Sequence, residues 1–144
     1  MNKQLAEYFL DQVSNAFAFL VSEFGFSSPQ LEINEDIHFA FVIFKAKNLA
    51  IELILDEKES DVTCKISRMI NGKRTSDYAV DRSGSRVREH LSSLMRRRGI
   101  NDPLFRKVTD LSLDEQIPVI LEDFVQMLRK YGQDVLCDSS AALA

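Results

Sequence analysis

The chain has 144 residues, 45% of them hydrophobic and 28% charged, and a formal net charge of −4. This composition excludes a disordered chain, and it supplies enough apolar mass for a core that needs no metal or disulfide to hold it together. The length corresponds to about one domain. We predict a single domain over residues 1–137 and a disordered tail over residues 138–144.

The sequence shows neither the pattern of a targeting signal nor a redox-active cysteine motif. Residues 1–4 lack the basic and apolar regions of a signal peptide, and no stretch approaches the roughly 18 uncharged apolar residues of a transmembrane helix. Cys64 and Cys137 stand outside any CxxC or Cys/His cluster, so we expect two free thiols, with Cys64 buried in a strand. A single long-range disulfide is the alternative. The sequence therefore predicts a cytoplasmic protein without membrane contact.

The chain opens with a helical pattern. Apolar residues recur at steps of three and four through residues 3–24, and Gly25 follows in the position of a helix C-cap. The apolar side is wide, which predicts packing on more than one face.

Alternating apolar residues over 31–80 predict an antiparallel meander of about four strands. The strands are centred on residues 37–43, 49–55, 62–66 and 75–80. The first is apolar on both sides and is expected to be covered on both. In the second, Glu52 and Asp56 are expected to face water. Asn71 and Gly72 predict a type I′ hairpin turn before the fourth strand.

Helical periodicity returns near Val87 and runs to Gly99, and a second helix is predicted to begin at Ser112, where Ser112 and Glu115 fit a capping box. Pro118 then requires that this helix start later or kink. One helix, a meander and two helices predict an α+β fold, a two-layer sandwich with one N-terminal and two C-terminal helices.

Catalytic and metal-binding motifs are missing. His38 and His90 fall in different predicted elements with no motif around either, and no nucleotide-binding glycine pattern occurs. The segment 83–85, Ser-Gly-Ser, precedes a predicted helix and has two interpretations, an anion site or a helix-capping serine. The sequence predicts a protein that is not an enzyme and has no cofactor.

A cluster of carboxylates occupies the turn between the second and third predicted strands. It contains Asp56, Glu57, Glu59 and Asp61, but lacks the glycine of an EF-hand loop and includes a lysine. The interpretations are a solvated hairpin turn, a contact surface for a basic partner and, least favoured, a metal site. We take the four carboxylates as candidate partner-binding residues.

Basic residues concentrate in one segment. Residues 82–107 contain eight basic and two acidic residues, a balance of +6, which leaves −10 for the rest of the chain. Cations before Gly99 complement the negative end of a helix dipole. The alternatives are pairing with Glu89 and acidic loops, or a basic face for anions or nucleic acid. The candidate residues for that face are Arg82, Arg86, Arg88, Arg96, Arg97 and Arg98.

Three segments together resemble small uncharacterised bacterial α+β proteins, some of which are grouped with immunity proteins that neutralise toxins by binding them. They are NAFAFLVSEFGF at 15–26, NLAIELILDEKE at 48–59 and FVQMLRKYGQDVL at 124–136. The resemblance covers the order of elements over most of the chain. It implies a non-enzymatic immunity-like or adaptor-like domain that binds a protein, such as a basic toxin or effector. It carries over no binding residues.

A second resemblance is to class I type III secretion chaperones, which are similar in size and acidity and place a helix before antiparallel strands. Those proteins also place a helix between groups of strands. Here no strand is predicted after Val80, which departs from their order. The chaperone-like role and the nucleic-acid module are the alternatives to the immunity-like reading.

Overall fold

The computed structural model describes residues 1–70, 72–74, 87–100 and 110–137. In the order of the chain, helices precede the strands of the sheet and helices follow them. The elements are α1 (Lys3–Ala16), α2 (Ala18–Phe24), β1 (Gln30–Asn34), β2 (Phe39–Lys45), β3 (Leu49–Asp56), β4 (Asp61–Ile70), β5 (Lys73–Arg74), β6 (Arg88–His90), α3 (Leu91–Arg97), α4 (Leu113–Tyr131) and α5 (Gln133–Cys137).

The sheet is antiparallel and curled, with strand order β1-β2-β3-β4-β5 and β6 also paired to β4. Residues 65–67 of β4 pair with β6, and residues 69–70 pair with β5, so two short strands share one edge of β4. The predicted α+β class, with an antiparallel sheet and helices at both ends, is confirmed. The sheet has more strands than the predicted meander, because β1 and β6 were missed. The predicted strand at 75–80 lies outside the described residues.

The two faces of the sheet differ in what they carry. Val42, Leu53 and Cys64 lie opposite one another on the inner face, against the helices. This face belongs to one core cluster that includes residues from α1 through to α5. On the outer face, Glu52 lies between Ile43 and Lys65. β2 is buried along its inner face, whereas on its outer face Ile43 is buried and Phe39 and Phe41 are half-buried, so the predicted cover of both faces is partial. The predicted tail at 138–144 lies outside the described residues.

The first helix is broken at Phe17, although the pattern over 3–24 predicted one helix. Phe17 has φ −104° and ψ 16°, which ends α1. Its ring is fully buried, and its centroid lies 6.1 Å from the centroids of both Phe19 and Phe44. The first helix is therefore interrupted at the residue whose ring packs against Phe44 of the sheet. Gly25 ends α2 as predicted, with a φ of 75° that favours glycine.

The segment before α3 is a strand, so the prediction of a helix from Val87 was wrong. The carbonyl of Val87 accepts a 2.8 Å hydrogen bond from the N–H of Arg68, and Arg88–His90 pairs with β4 as β6. The helix begins only at Leu91. Cross-strand pairing thus outweighed local helical periodicity. The expectation of no strand after Val80 was wrong for the same reason.

The last long helix begins where it was predicted. Ser112 and Glu115 form both hydrogen bonds of the capping box, and α4 starts at Leu113 and runs through Pro118. The expectation that Pro118 would make this helix start later is therefore wrong. Gly132 ends α4, and α5, which the pattern did not predict, follows.

Candidate functional site

Two acidic turns lie side by side at one end of the sheet. The strand register places Asn34 opposite Phe39, Phe39 opposite Asp56, and Asp56 opposite Asp61. The β1–β2 and β3–β4 turns therefore meet, and the N–H of Glu57 donates a 3.1 Å hydrogen bond to the carbonyl of His38. We call this region the acidic end. It is defined by Glu35, Asp36, Asp56, Glu57, Glu59 and Asp61.

Two of the four predicted acidic residues have structural roles. The Asp56 carboxylate accepts a 3.1 Å hydrogen bond from the N–H of Glu59, which closes the β3–β4 turn. The Glu57 carboxylate accepts a 3.1 Å bond from the N–H of Asn2 and lies 3.5 Å from Nδ1 of His38. Glu57 therefore anchors the start of α1. Its carboxylate already has contacts with Asn2 and His38 of the same chain.

The other carboxylates of the acidic end are available to solvent. Glu35, Asp36, Glu59 and Asp61 are exposed, and their side chains accept no hydrogen bond from the residues that the structure describes. Asp61 also lies directly opposite Asp56, and like charges in that position destabilise a sheet. The charge of Asp61 is therefore not explained by the stability of the fold.

Apolar side chains are exposed beside these charges. Ile33 is 40% exposed and Ile37 is 46% exposed. A depression of about 460 Å³ includes Ile33 in its wall and is lined by Glu32, Ile33, Asn34, Glu35, Asp36 and Phe41. Exposed apolar groups within a charged rim are the arrangement found in protein–protein interfaces. At this end of the sheet, exposed apolar side chains therefore lie beside carboxylates that accept no described hydrogen bond.

The arginine candidate Arg88 is committed to a buried ion cluster. Its guanidinium makes two 2.9 Å hydrogen bonds to Glu52, a fully buried carboxylate on the outer face of the sheet. Arg74 also pairs with Glu52 and makes a 2.9 Å bond to Glu32. The expectation that Glu52 faces water was wrong, because these two cations neutralise it and allow its burial.

Two arginines at the C-terminal end of α3 pair with carboxylates of the chain. Arg97 bonds to Glu89, which is 5% exposed, and this hydrogen bonding raises the pKa of Arg97 above its ordinary value. Arg98 makes two 3.0 Å hydrogen bonds to Asp134 on α5. Pairing of this kind was one of the sequence interpretations.

Of the remaining arginine candidates, the structure describes Arg96. Arg96 is exposed and forms no ion pair with the described residues. Arg82 and Arg86, and the Ser-Gly-Ser segment at 83–85, lie outside the described residues. Of the four candidate arginines that the structure describes, Arg88, Arg97 and Arg98 pair with described carboxylates of the chain and Arg96 does not.

The histidines and cysteines occupy structural positions. His38 is in the β1–β2 turn, not in a strand, with a φ of 56°. His90 ends β6 and is the N-cap of α3, not a residue of the helix. Both cysteines are free thiols in the structure, Cys64 buried and Cys137 exposed. Burial, and secondarily the charge of Glu52, raises the pKa of Cys64 well above its ordinary value, which keeps it a neutral thiol.

Neither a metal cluster nor a membrane-spanning helix occurs within residues 1–70, 72–74, 87–100 and 110–137. There, no group of three His, Cys, Asp or Glu residues is arranged to hold a metal ion. No helix in the same ranges combines the length and apolar character required to cross a bilayer.

Comparison with known proteins adds no relative. No protein-family model, curated protein or solved structure matches the chain significantly.

Sequence reasoning found one of the two turns of the acidic end, with four of its six carboxylates. Glu35 and Asp36 were missed because β1 was not predicted, so nothing placed the turn after β1 beside the turn after β3. A signal was present: residues 32–37, Glu-Ile-Asn-Glu-Asp-Ile, alternate charged or polar residues with isoleucines that end up exposed.

Proposed function

We propose that this chain is a non-enzymatic protein-binding domain whose acidic end takes a basic protein partner. The observation that carries the proposal is the meeting of two turns in which four exposed carboxylates accept no described hydrogen bond, beside two exposed isoleucines. The immunity-like role, with a basic toxin or effector as partner, is the form of this function that the sequence resemblance implies.

Each part of the surface has a task in such binding. Glu35, Asp36, Glu59 and Asp61 steer a basic partner and set specificity, because exposed charges act over about 8–10 Å at physiological salt. Ile33 and Ile37 supply apolar contact area, which contributes more to affinity than rim charges do. The unfavourable pairing of Asp56 with Asp61 across the β3–β4 turn is relieved when a cation of the partner binds beside the two carboxylates.

The nucleic-acid alternative receives less support from the geometry. Arg88, Arg97 and Arg98 are bonded to carboxylates of the same chain. Phosphate binding at these positions would have to compete with those ion pairs. The acidic end is the better supported surface for this reason.

The test is an affinity capture from the native host with matched charge-reversal baits. One bait carries Glu59→Lys and Asp61→Lys. The control carries Glu7→Lys and Asp11→Lys, which changes the net charge equally on the exposed side of α1. Glu57 is left unchanged, because its reversal would remove the bonds to Asn2 and His38. Proteins bound to each bait are quantified by mass spectrometry and then measured as purified pairs.

The expected result is a stoichiometric basic protein on the wild-type and α1-reversed baits. Its affinity should fall at least tenfold, or about 1.4 kcal/mol, for the variant of the acidic end. Equal capture by all three baits would reject this surface. Recovery of nucleic acid in place of protein, lost on nuclease treatment, would favour the arginine alternative.

A further inference from the structure

A cleft opens at the edge of β4, away from the depression beside β1. Strand β6 ends with His90 opposite Lys65, and the chain then turns into α3, so β6 does not extend along the first residues of β4. The resulting space is about 490 Å³. It lies between residues 61–64 of β4, α3 and α4. A volume of this size is within the range of small-molecule sites, roughly 300–1,000 Å³.

The two helices present their side chains to the cleft at regular helical spacing. Ser92 and Arg96 are four residues apart on α3, and Gln116, Ile120 and Phe124 are four apart on α4. Residues at this spacing share one helix face. The cleft therefore has a polar and cationic wall from α3 and a largely apolar wall from α4, with His90 at the end of β6.

Arg96 is the cation of this wall that is not paired with a carboxylate among the described residues. Arg97 and Arg98, its neighbours in sequence, are held by Glu89 and Asp134. Arg96 lines the cleft and forms no ion pair with any residue described here. A guanidinium in a concave site is well suited to a carboxylate or phosphate, which it can bind with two parallel hydrogen bonds.

We propose that this cleft binds a small organic anion, with its single anionic group on Arg96 and its apolar body against Ile120 and Phe124. The site shares Asp61 with the acidic end, but the binding of an anion on Arg96 does not depend on the proposed protein-binding role. Asp61 lies at the β4 side of the same cleft and forms no ion pair with Arg96. Its negative charge disfavours polyanions such as nucleic acid, so the site selects molecules with one compact anionic group.

The binding test uses the whole chain and two probes, phenyl phosphate and phenylacetate. Each is titrated to millimolar concentration while the backbone amide resonances are followed by ¹⁵N-correlated NMR. Phenol, which lacks the anion, and inorganic phosphate, which lacks the apolar body, are titrated in parallel. Arg96→Gln removes the charge, and Arg129→Gln is the matched control on α4, since Arg129 is not a lining residue.

We expect at least one aromatic anion to shift the amides of residues 61–64, 92, 96 and 116–124, and to bind more tightly than phenol or phosphate. Arg96→Gln should weaken that binding at least tenfold, and Arg129→Gln should leave it within twofold. The proposal is overturned if neither probe shifts these residues at millimolar concentration. It is equally overturned if a probe binds there with the same affinity after Arg96→Gln.

Discussion

The hydroxyl of Tyr8 donates a 2.9 Å hydrogen bond to the backbone carbonyl of Asp114. Tyr8 lies on α1, and Asp114 lies in the first turn of α4. In an uninterrupted helix that carbonyl accepts from the N–H four residues later, but the residue there is Pro118, which has no N–H. Tyr8 therefore supplies the donor that the proline lacks, and α4 continues through a residue that normally disrupts a helix.

This relationship predicts a coupled pair of substitutions. Tyr8→Phe should lower the free energy of unfolding by about 1 kcal/mol, because it leaves the carbonyl of Asp114 without its protein donor. In a Pro118→Ala background the N–H at position 118 is restored, so Tyr8→Phe should lower the free energy of unfolding much less. Urea unfolding of the four proteins of the double-mutant cycle gives the coupling energy. Equal costs in both backgrounds would show that Tyr8 does not compensate for the proline.

The buried ion cluster predicts a large loss of stability when its centre is neutralised. Glu52→Gln should cost about 3–5 kcal/mol, because Arg88 and Arg74 would lose their shared carboxylate in a buried setting. Glu32→Gln is the matched control. Its carboxylate is 50% exposed, so the loss should stay below about 1 kcal/mol. Chemical denaturation measures both. Similar losses from the two substitutions would contradict the structural role of Glu52.

The acidic end predicts a substitution that increases stability. Asp61→Asn removes the repulsion from Asp56 directly opposite, so the free energy of unfolding should rise by about 0.2–1 kcal/mol. The gain should shrink at high salt, which screens exposed charges. Glu7→Gln, on the exposed side of α1, is the control and should have little effect. A loss of stability on Asp61→Asn would mean that this carboxylate has an internal partner.

The two cysteines should differ sharply in reactivity. Cys137 is exposed and should react with a thiol reagent such as DTNB in the folded protein, whereas Cys64 is buried and should react only after unfolding. Labelling of the folded chain should therefore stop with Cys137→Ser. Rapid labelling of the folded Cys137→Ser protein would contradict the burial of Cys64.

The raised pKa of Cys64 also predicts a dependence of stability on pH. Its ordinary pKa is 9.0. Above that pH the unfolded chain loses the thiol proton while the folded chain keeps it, so the stabilisation present below pH 9 decreases as pH rises, by about 1.4 kcal/mol per unit. The wild type should lose this stability relative to Cys64→Ala above pH 9. A difference between the two proteins that stays constant with pH would contradict the prediction.

The elements that the sequence predicted well depend on local interactions. The capping box at Ser112 and the stop at Gly25 involve residues within one turn of each other, so their types and spacing are sufficient signals. The inner residues of β3 and β4 were likewise visible from alternation. The arrangement of helix, sheet and helices followed from these signals.

The features that were missed depend on residues distant in the chain. Glu52 was expected in water because no local pattern shows that Arg88 will reach it from 36 positions away. The strand at Arg88–His90 carries a helical pattern, and only the edge of β4 makes it a strand. The acidic end was predicted only in part for the same reason, since its second turn is brought into place by the register of the sheet.

The position of Glu52 also has a consequence for the kinetics of folding. Its partners Arg74 and Arg88 follow it by 22 and 36 residues, and Arg88 reaches it only when β6 has joined the edge of β4. Contacts that close such long loops form late. An interaction absent from the transition state leaves the folding rate unchanged and slows unfolding. The cluster should therefore lengthen the lifetime of the native state, so that a chain without it reaches the same fold as quickly but leaves it sooner.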